Sequence, residues 1–309
     1  MHLRSSGSNV TLRPFLLAVF LFVTVLIPLK GYSLLQPRNP YRNQSQLIPY
    51  YSQSFYSALQ INSKDDNLKY VLKSILRNYH IAKPGQLDTI TERCASTERN
   101  CYNQISVGYD RARVFLMGYL YLIKQDNQYV IKESYCNKYY GREEFGGKKG
   151  PAPQTIPDNT VINVEHTWPQ SRFSGGFQKD FQKADLHHLY PTDSQLNAIR
   201  GNKTFGEVGK DLMNLKCGQS KYGVSKASGR QVFEPPNVHK GRVARALFYF
   251  SVRYEIPLDP EEEAFLKKWN AEYPVDKEEV TRNEEIFKVQ GNRNPFIDYP
   301  ELVSMIADF

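Results

Sequence analysis

The chain has 309 residues, with 40 lysines and arginines against 32 aspartates and glutamates and a formal net charge of +8. Its 40% hydrophobic and 13% aromatic residues can fill a packed core, which excludes a disordered or collagen-like chain. Only one long apolar run is present, which excludes a polytopic membrane protein, and the excess of cations points to an anionic partner without bearing on the fold.

At the amino end, Arg4 and Arg13 precede an apolar run over residues 15–29, and no acid occurs before Asp65. A basic start, an apolar stretch of about 15 residues and small residues at Gly31 and Ser33 read as a secretory signal over residues 1–33. An uncleaved anchor is the alternative, but the run is shorter than the ~20 residues of a membrane span. Cleavage removes Arg4, Arg13 and Lys30 and no acid, so the net charge falls from +8 to +5. A periplasmic or secreted protein without stable membrane association is expected. Its four cysteines, Cys94, Cys101, Cys136 and Cys217, then suggest two disulfides. Three pairings exist, and we expect Cys94–Cys101 with Cys136–Cys217. No pair has the spacing of a structural zinc site.

Residues 34–62 are rich in Pro, Asn, Gln and Tyr and read as a flexible lead-in. A helix follows over 65–79, where Leu68, Val71, Leu72, Ile75, Leu76 and Tyr79 recur at helical spacing. The β-branched and aromatic run 114–123, turning at Gln125-Asp126-Asn127 into Tyr129-Val130-Ile131, predicts a hairpin. Residues 141–157 read as a loop, and 160–164 as a short strand. From Asp185 a helical or loop-helix segment is expected, interrupted at Pro191. Residues 243–254 predict a buried helix. Asp259-Pro260-Glu261 is a helix start with cap, Pro and acid in place, and this helix carries Phe265, Leu266 and Trp269. Residues 276–289 and 301–307 supply two more. No repeat and no clean linker divides residues 63–309, so the expected fold is one mixed α+β domain, helix-rich at its carboxyl end, with a short catalytic hairpin in the middle.

Chemistry concentrates in that middle. Three of the six histidines, His166, His187 and His188, lie close together, with Glu165, Asn197, Arg200, Asn202 and Lys203 nearby. Phosphodiester hydrolysis needs this set. An imidazole can take the proton of an attacking water, a divalent ion can neutralise the phosphate, and a guanidinium can hold its oxygens. Taken alone, a Glu-His pair is usually a strand end, Trp168 a core anchor, and Arg200 and Lys203 surface charges. Their co-occurrence in a basic, exported chain favours a metal-dependent phosphodiesterase or another metallohydrolase. Glu165 and His166 should leave a strand on opposite faces, so either the strand ends or bulges there, as Trp168-Pro169 suggests, or Glu165 orients a partner from behind.

The blocks Glu165-His166-Thr167-Trp168-Pro169-Gln170-Ser171 and Asp185-Leu186-His187-His188-Leu189-Tyr190-Pro191 carry a resemblance. So do Asn197 to Asn202, Phe205-Gly206-Glu207, Arg282-Asn283-Glu284 and Gln290 to Asp298. Together they resemble the bacterial endonuclease I family of periplasmic or secreted nucleases, from about residue 50 onward. The resemblance implies a ββα-metal (His-metal finger) motif at the centre of the domain. It implies one divalent ion, Mg²⁺ first, with Mn²⁺ or another transition metal as alternative. It makes His166 the general base, Glu165 and His188 the metal ligands, and Arg200 and Arg172 the candidates for holding the scissile phosphate. Lys148, Lys149, Asn197, Asn202 and Lys203 are the expected nucleic-acid contacts. The block from Gln290 is read as structural, with Gly291 and Pro295 shaping a turn.

The expected activity is a metal-dependent endonuclease of weak sequence selectivity, acting as a monomer on DNA and, alternatively, RNA. It would leave 5′-phosphate and 3′-hydroxyl ends. Two rivals remain: a secreted zinc hydrolase of another class, against which the missing HExxH pattern counts, and a nucleic-acid-binding protein without catalysis, which would shift DNA and never cut it.

Overall fold

In the computed structural model, which describes residues 38–43 and 46–309, the expected signal at 1–33 and the first four residues of the lead-in lie outside the described residues. The rest of the lead-in corrects the reading. Helix α1 (Gln53–Gln60) forms within it, Tyr51 and Phe55 are fully buried, and the Tyr51 hydroxyl donates to Asp298 Oδ2 at 2.6 Å. Polar composition masked an aromatic anchor. All the described residues belong to one compact unit that runs from Gln36 to the carboxyl end. No helix among them is long and apolar enough to cross a membrane.

Helix α2 (Asp65–Arg77) follows the predicted stripe, burying Leu68, Leu72, Ile75 and Leu76. It leads into β1 (Tyr79–Ile81), which pairs antiparallel with both β2 (Thr89–Thr91) and β3 (Cys101–Tyr102). The Cys94–Cys101 disulfide closes this small sheet.

The run 114–123 is largely helical, a second correction. Helix α3 (Tyr109–Phe115) continues as a π-helical turn over Leu116–Leu120. Ala112, Leu116 and Met117 sit at helical spacing and are buried, and that burial outweighs strand propensity. The hairpin itself is one step later. Strands β4 (Leu122–Gln125) and β5 (Gln128–Glu133) turn at Asp126, whose φ is 51°, and β6 (Lys138–Tyr140) adds a third strand. The expected loop after it opens with one helical turn, α4 (Arg142–Phe145), which buries Phe145.

The centre of the chain forms β7 (Ile162–His166), α5 (Lys179–Lys183), β8 (Leu189–Asp193) and α6 (Ser194–Arg200). Pro191 lies inside a strand, opposite Val164, and does not interrupt a helix. In a two-stranded sheet both strands are edges, where a missing N–H is tolerated. A four-stranded sheet that the sequence reading missed comes next. It is built from β9 (Thr204–Phe205), β10 (Val208–Met213), β11 (Lys221–Ser225) and β12 (Gln231–Glu234), in the order β10-β11-β12-β9. The second disulfide, Cys136–Cys217, fastens the segment between β5 and β6 to the loop before β11.

Helix α7 (Asn237–Tyr254) is buried on nearly every side, with Lys240, Arg245 and Arg253 buried among its apolar residues. Gly241 lets it approach α8 (Pro260–Glu272), since a side chain there would collide with the Tyr273 carbonyl and the Arg245 guanidinium. Asp259 caps α8 through the Glu261 and Glu262 amides at 3.0 and 3.2 Å, and Asp276 caps α9 (Lys277–Gln290) through the Glu279 amide at 2.8 Å. Gly291, at φ 79°, ends α9 in the left-handed conformation that favours glycine. After α10 (Pro295–Asp298) the chain makes a 3-10 turn over Pro300–Met305, where a helix over 301–307 was expected. The whole is α+β, as expected.

Candidate active site

Strands β7 and β8 pair antiparallel, with Glu165 opposite Tyr190 and His166 opposite Leu189. Asp193 ends β8 and caps α6, accepting from the Gln195 and Leu196 amides at 3.0 Å. Strand, strand and helix therefore form one continuous ββα unit. Side chains alternate along β7, so Asn163 and Glu165 share a face, and α6 packs against that face.

Arg200, at the end of α6, fixes the strand's end. Its Nη1 donates to Glu165 Oε1 at 2.5 Å and to the His166 carbonyl at 2.8 Å, while Nη2 donates to the Thr167 carbonyl at 2.6 Å. Both partners of the ion pair are almost fully buried. Burial pushes the Glu165 carboxyl above its ordinary range, and Arg200 and the neighbouring Tyr135 hydroxyl draw it back toward the charged form. One helical turn before Arg200, Asn197 Nδ2 donates to Asn163 Oδ1 at 2.8 Å. That bond orients the Asn197 amide on the face of β7 that carries Glu165.

His166 leaves the strand on the other face. Its Nε2 lies 3.1 Å from the Lys183 carbonyl. A carbonyl only accepts, so Nε2 carries the proton and Nδ1 is the basic nitrogen. The exposed side chain of Gln170 donates to Nδ1 at 3.4 Å, which marks the direction of solvent. Tyr109, Phe173 and His188 surround the ring, with centroids 5.3, 6.2 and 5.4 Å away. Burial, aided by the neighbouring His188, holds the His166 pKa down to about 3, so the imidazole is neutral.

Three residues expected at the site are engaged by other parts of the fold. His188 is fully buried, its Nε2 donates to the Gln182 carbonyl at 2.8 Å, and its ring rests 4.4 Å from Phe250. It belongs to the aromatic bed under His166 and not to the face that carries Glu165. Burial lowers the pKa of His187 and of His188 to about 4. Arg200 is committed to Glu165 and two carbonyls and has no exposed edge for a phosphate. Arg172 donates to Glu262 Oε2 at 3.1 Å, and its Nε and Nη2 are shielded without a hydrogen-bond partner.

The expected nucleic-acid contacts are dispersed. Asn202 is exposed beside Lys203, which donates to the Ile199 carbonyl at 2.8 Å and lies over the Tyr222 ring. Lys148 and Lys149 are exposed, but Lys148 donates to Thr160 Oγ1 at 2.7 Å, before the start of β7. That places it roughly 15–20 Å of strand away from His166. Trp168 is the anchor its usual role suggests, stacked 5.2 Å from Phe250 with Nε1 donating to the Arg172 carbonyl at 2.9 Å.

A wall from distant sequence supports the unit. Asp185 Oδ2 accepts from the hydroxyls of Tyr249 and Tyr254 at 2.8 and 2.7 Å and from Gln104 Nε2 at 2.9 Å, and Oδ1 accepts from Gln290 Nε2 at 2.9 Å. Burial pushes this carboxyl up, but His187, His188 and these donors outweigh it and hold it below its ordinary value. His187 Nε2 meets the Asn292 carbonyl at 3.2 Å. Arg293 is paired with the buried Asp298 at 2.7 Å, so the block from Gln290 is structural, as read.

The donors that this ββα face offers a metal ion are oxygens: the Glu165 carboxylate with the Asn197 and Asn163 amides. One carboxylate with neutral oxygens suits a hard ion that keeps several waters, such as Mg²⁺. With His188 elsewhere, the nitrogen ligand that would favour softer ions is missing from the set. Among the described residues, no three His, Cys, Asp or Glu side chains cluster so as to hold a metal. Asn197, expected as a nucleic-acid contact, lies on the same helix face as Arg200, three residues before it.

The family described as Endonuclease I matches residues 95–301. An extracellular ribonuclease of Bacillus subtilis is 37% identical over 161 residues, covering 45% of this chain and 51% of its own. An extracellular deoxyribonuclease of Aeromonas hydrophila is 34% identical over 117 residues, covering 38% and 49%. A periplasmic deoxyribonuclease of the same species is 32% identical over 126 residues, covering 40% and 52%. The chain spans about half the length of the curated relatives it matches.

Proposed function

The chain belongs to the endonuclease I family, and on that premise we propose that it is a secreted, monomeric, metal-dependent endonuclease of little sequence preference. Its substrates are DNA and RNA, in keeping with the two kinds of nuclease among its relatives. Water attacks phosphorus in line with the 3′ oxygen, and the P–O3′ bond breaks. The water's proton passes to His166 Nδ1, and solvent protonates the leaving oxygen. The ends are 5′-phosphate and 3′-hydroxyl.

One observation carries this reading. The Lys183 carbonyl holds the Nε2 proton of His166, so the lone pair on Nδ1 faces the side where Gln170 meets solvent. General-base transfer of this kind contributes about 10²–10⁴-fold in rate. Glu165 and Asn197 would hold the divalent ion, which when bound supplies charge neutralisation at the phosphate and the leaving oxygen. Arg200 keeps Glu165 in place and does not touch the substrate.

The test is digestion of supercoiled plasmid and of total RNA with Mg²⁺, with other divalent ions and with EDTA. Both substrates are cut with Mg²⁺, EDTA stops the reaction, and the linear DNA ligates without kinase treatment. DNA that is retarded in a gel but intact with every ion would overturn the proposal.

A further inference from the structure

The substrate's phosphate calls for a cation near His166; Arg200 is buried against Glu165, and Arg172 gives one nitrogen to Glu262. Lys183 is the half-buried cation that remains on that side of the strand. Its backbone carbonyl already orients His166. Its ammonium stands 4.6 Å from the centroid of the Tyr109 ring, and that ring lies 5.3 Å from the His166 ring. Among the described residues Lys183 is in no ion pair, whereas Arg113, which also lies over Tyr109 at 5.2 Å, pairs with Asp110. An ammonium resting on an aromatic face is directed without being neutralised, and so it keeps its full charge for an anion.

Resting on the nuclease reading above, we propose that Lys183, braced by Tyr109, is the residue that binds the substrate phosphate next to the general base, in the role expected of Arg200 and Arg172. One residue would then serve the site twice, with its carbonyl fixing the tautomer of the base and its ammonium bringing the phosphate to it. Tyr109 presents the ammonium and, half-exposed itself, gives a flanking base a ring to stack on.

The experiment compares wild type, Lys183→Met, Lys183→Arg and Tyr109→Leu on plasmid and on total RNA over a series of salt concentrations. A neutral side chain at 183 should raise KM about tenfold, and the plot of log(kcat/KM) against log salt should become shallower by about 0.9 on duplex DNA, the loss of one phosphate contact. Lys183→Arg should restore both. Tyr109→Leu should raise KM less and leave the salt slope unchanged. A structural role for Lys183 would lower activity without moving the slope. Wild-type slope and KM in Lys183→Met overturn this inference while leaving the nuclease reading intact, and a wild type that cuts neither substrate overturns the nuclease reading itself. Because the His166 anchor is a backbone carbonyl, substitution at 183 preserves it, and a thermal melt matching wild type verifies that the variant is folded.

Discussion

Glu165 and His166 are neighbours in sequence and opposites in surroundings. The carboxylate side is closed: a buried guanidinium grips it and two carbonyls at once, and an amide pair on the next turn completes a rigid oxygen face. The imidazole side is lined by aromatic rings, with the exposed Gln170 and the half-buried Lys183 in contact with the ring or its neighbours. On the proposed reading, the rigid side is the one that would hold the ion, and the aromatic side the one that would meet the nucleic acid.

His166→Ala separates the two sides most sharply. It should lower kcat by roughly 10²–10⁴-fold and leave metal affinity and the melting temperature near wild type. A variant that turns over at the wild-type rate would remove the general base from the scheme. Arg200→Ala breaks the closed side, because it leaves a buried carboxylate without its cation, and should cost about 3–5 kcal/mol of stability in a urea titration. A guanidinium that bound substrate and not Glu165 would instead raise KM with little loss of stability.

Asn197→Ala and His188→Gln form the next pair. The first should raise the Mg²⁺ concentration needed for half-maximal cutting about tenfold, and the second should leave that concentration unchanged while lowering the melting temperature. The reverse pattern would return the second ligand to His188.

Acid should act on the imidazole side and its aromatic bed. His187 and His188 have pKa values of about 4 in the fold against about 6.5 unfolded. The unfolded chain therefore binds more protons between those values. Stability is complete above about pH 6.5 and falls as pH drops through that window toward 4. Melts at successive pH values check this, and a flat melting temperature between pH 7 and 4 would contradict it. The smallest effect belongs to Lys148→Ala. Sited before β7 and bonded to Thr160, it should change kcat/KM less than twofold.

Legibility in the sequence followed the range of the interactions. Asp259-Pro260 and Asp276 announced α8 and α9 because capping is a matter of three or four adjacent residues. The disulfide pairing and the anchoring role of Trp168 were also readable. The run 114–123 was misread because its β-branched residues favour a strand locally, whereas burial of Leu116 and Met117 against other elements made it a helix. The four-stranded sheet at 204–234 went unseen, since its strands are short and β10 is almost wholly exposed, so no alternation of apolar and polar residues advertised it. Histidine at 188 suggested a ligand by type and position. Only packing against Phe250 assigned it to the aromatic bed, and only the side-chain geometry revealed that Arg200 is bound to Glu165.

The Asp185 carboxylate draws donors from Gln104, Tyr249, Tyr254 and Gln290, segments spread over most of the polypeptide. A ribosome working from the amino end delivers the last of these only after α9 has been made. A growing chain that contains Glu165, His166 and Asn197 but has not yet reached Gln290 therefore lacks the brace that seats its own histidines, and on the proposed reading it cannot yet cut nucleic acid.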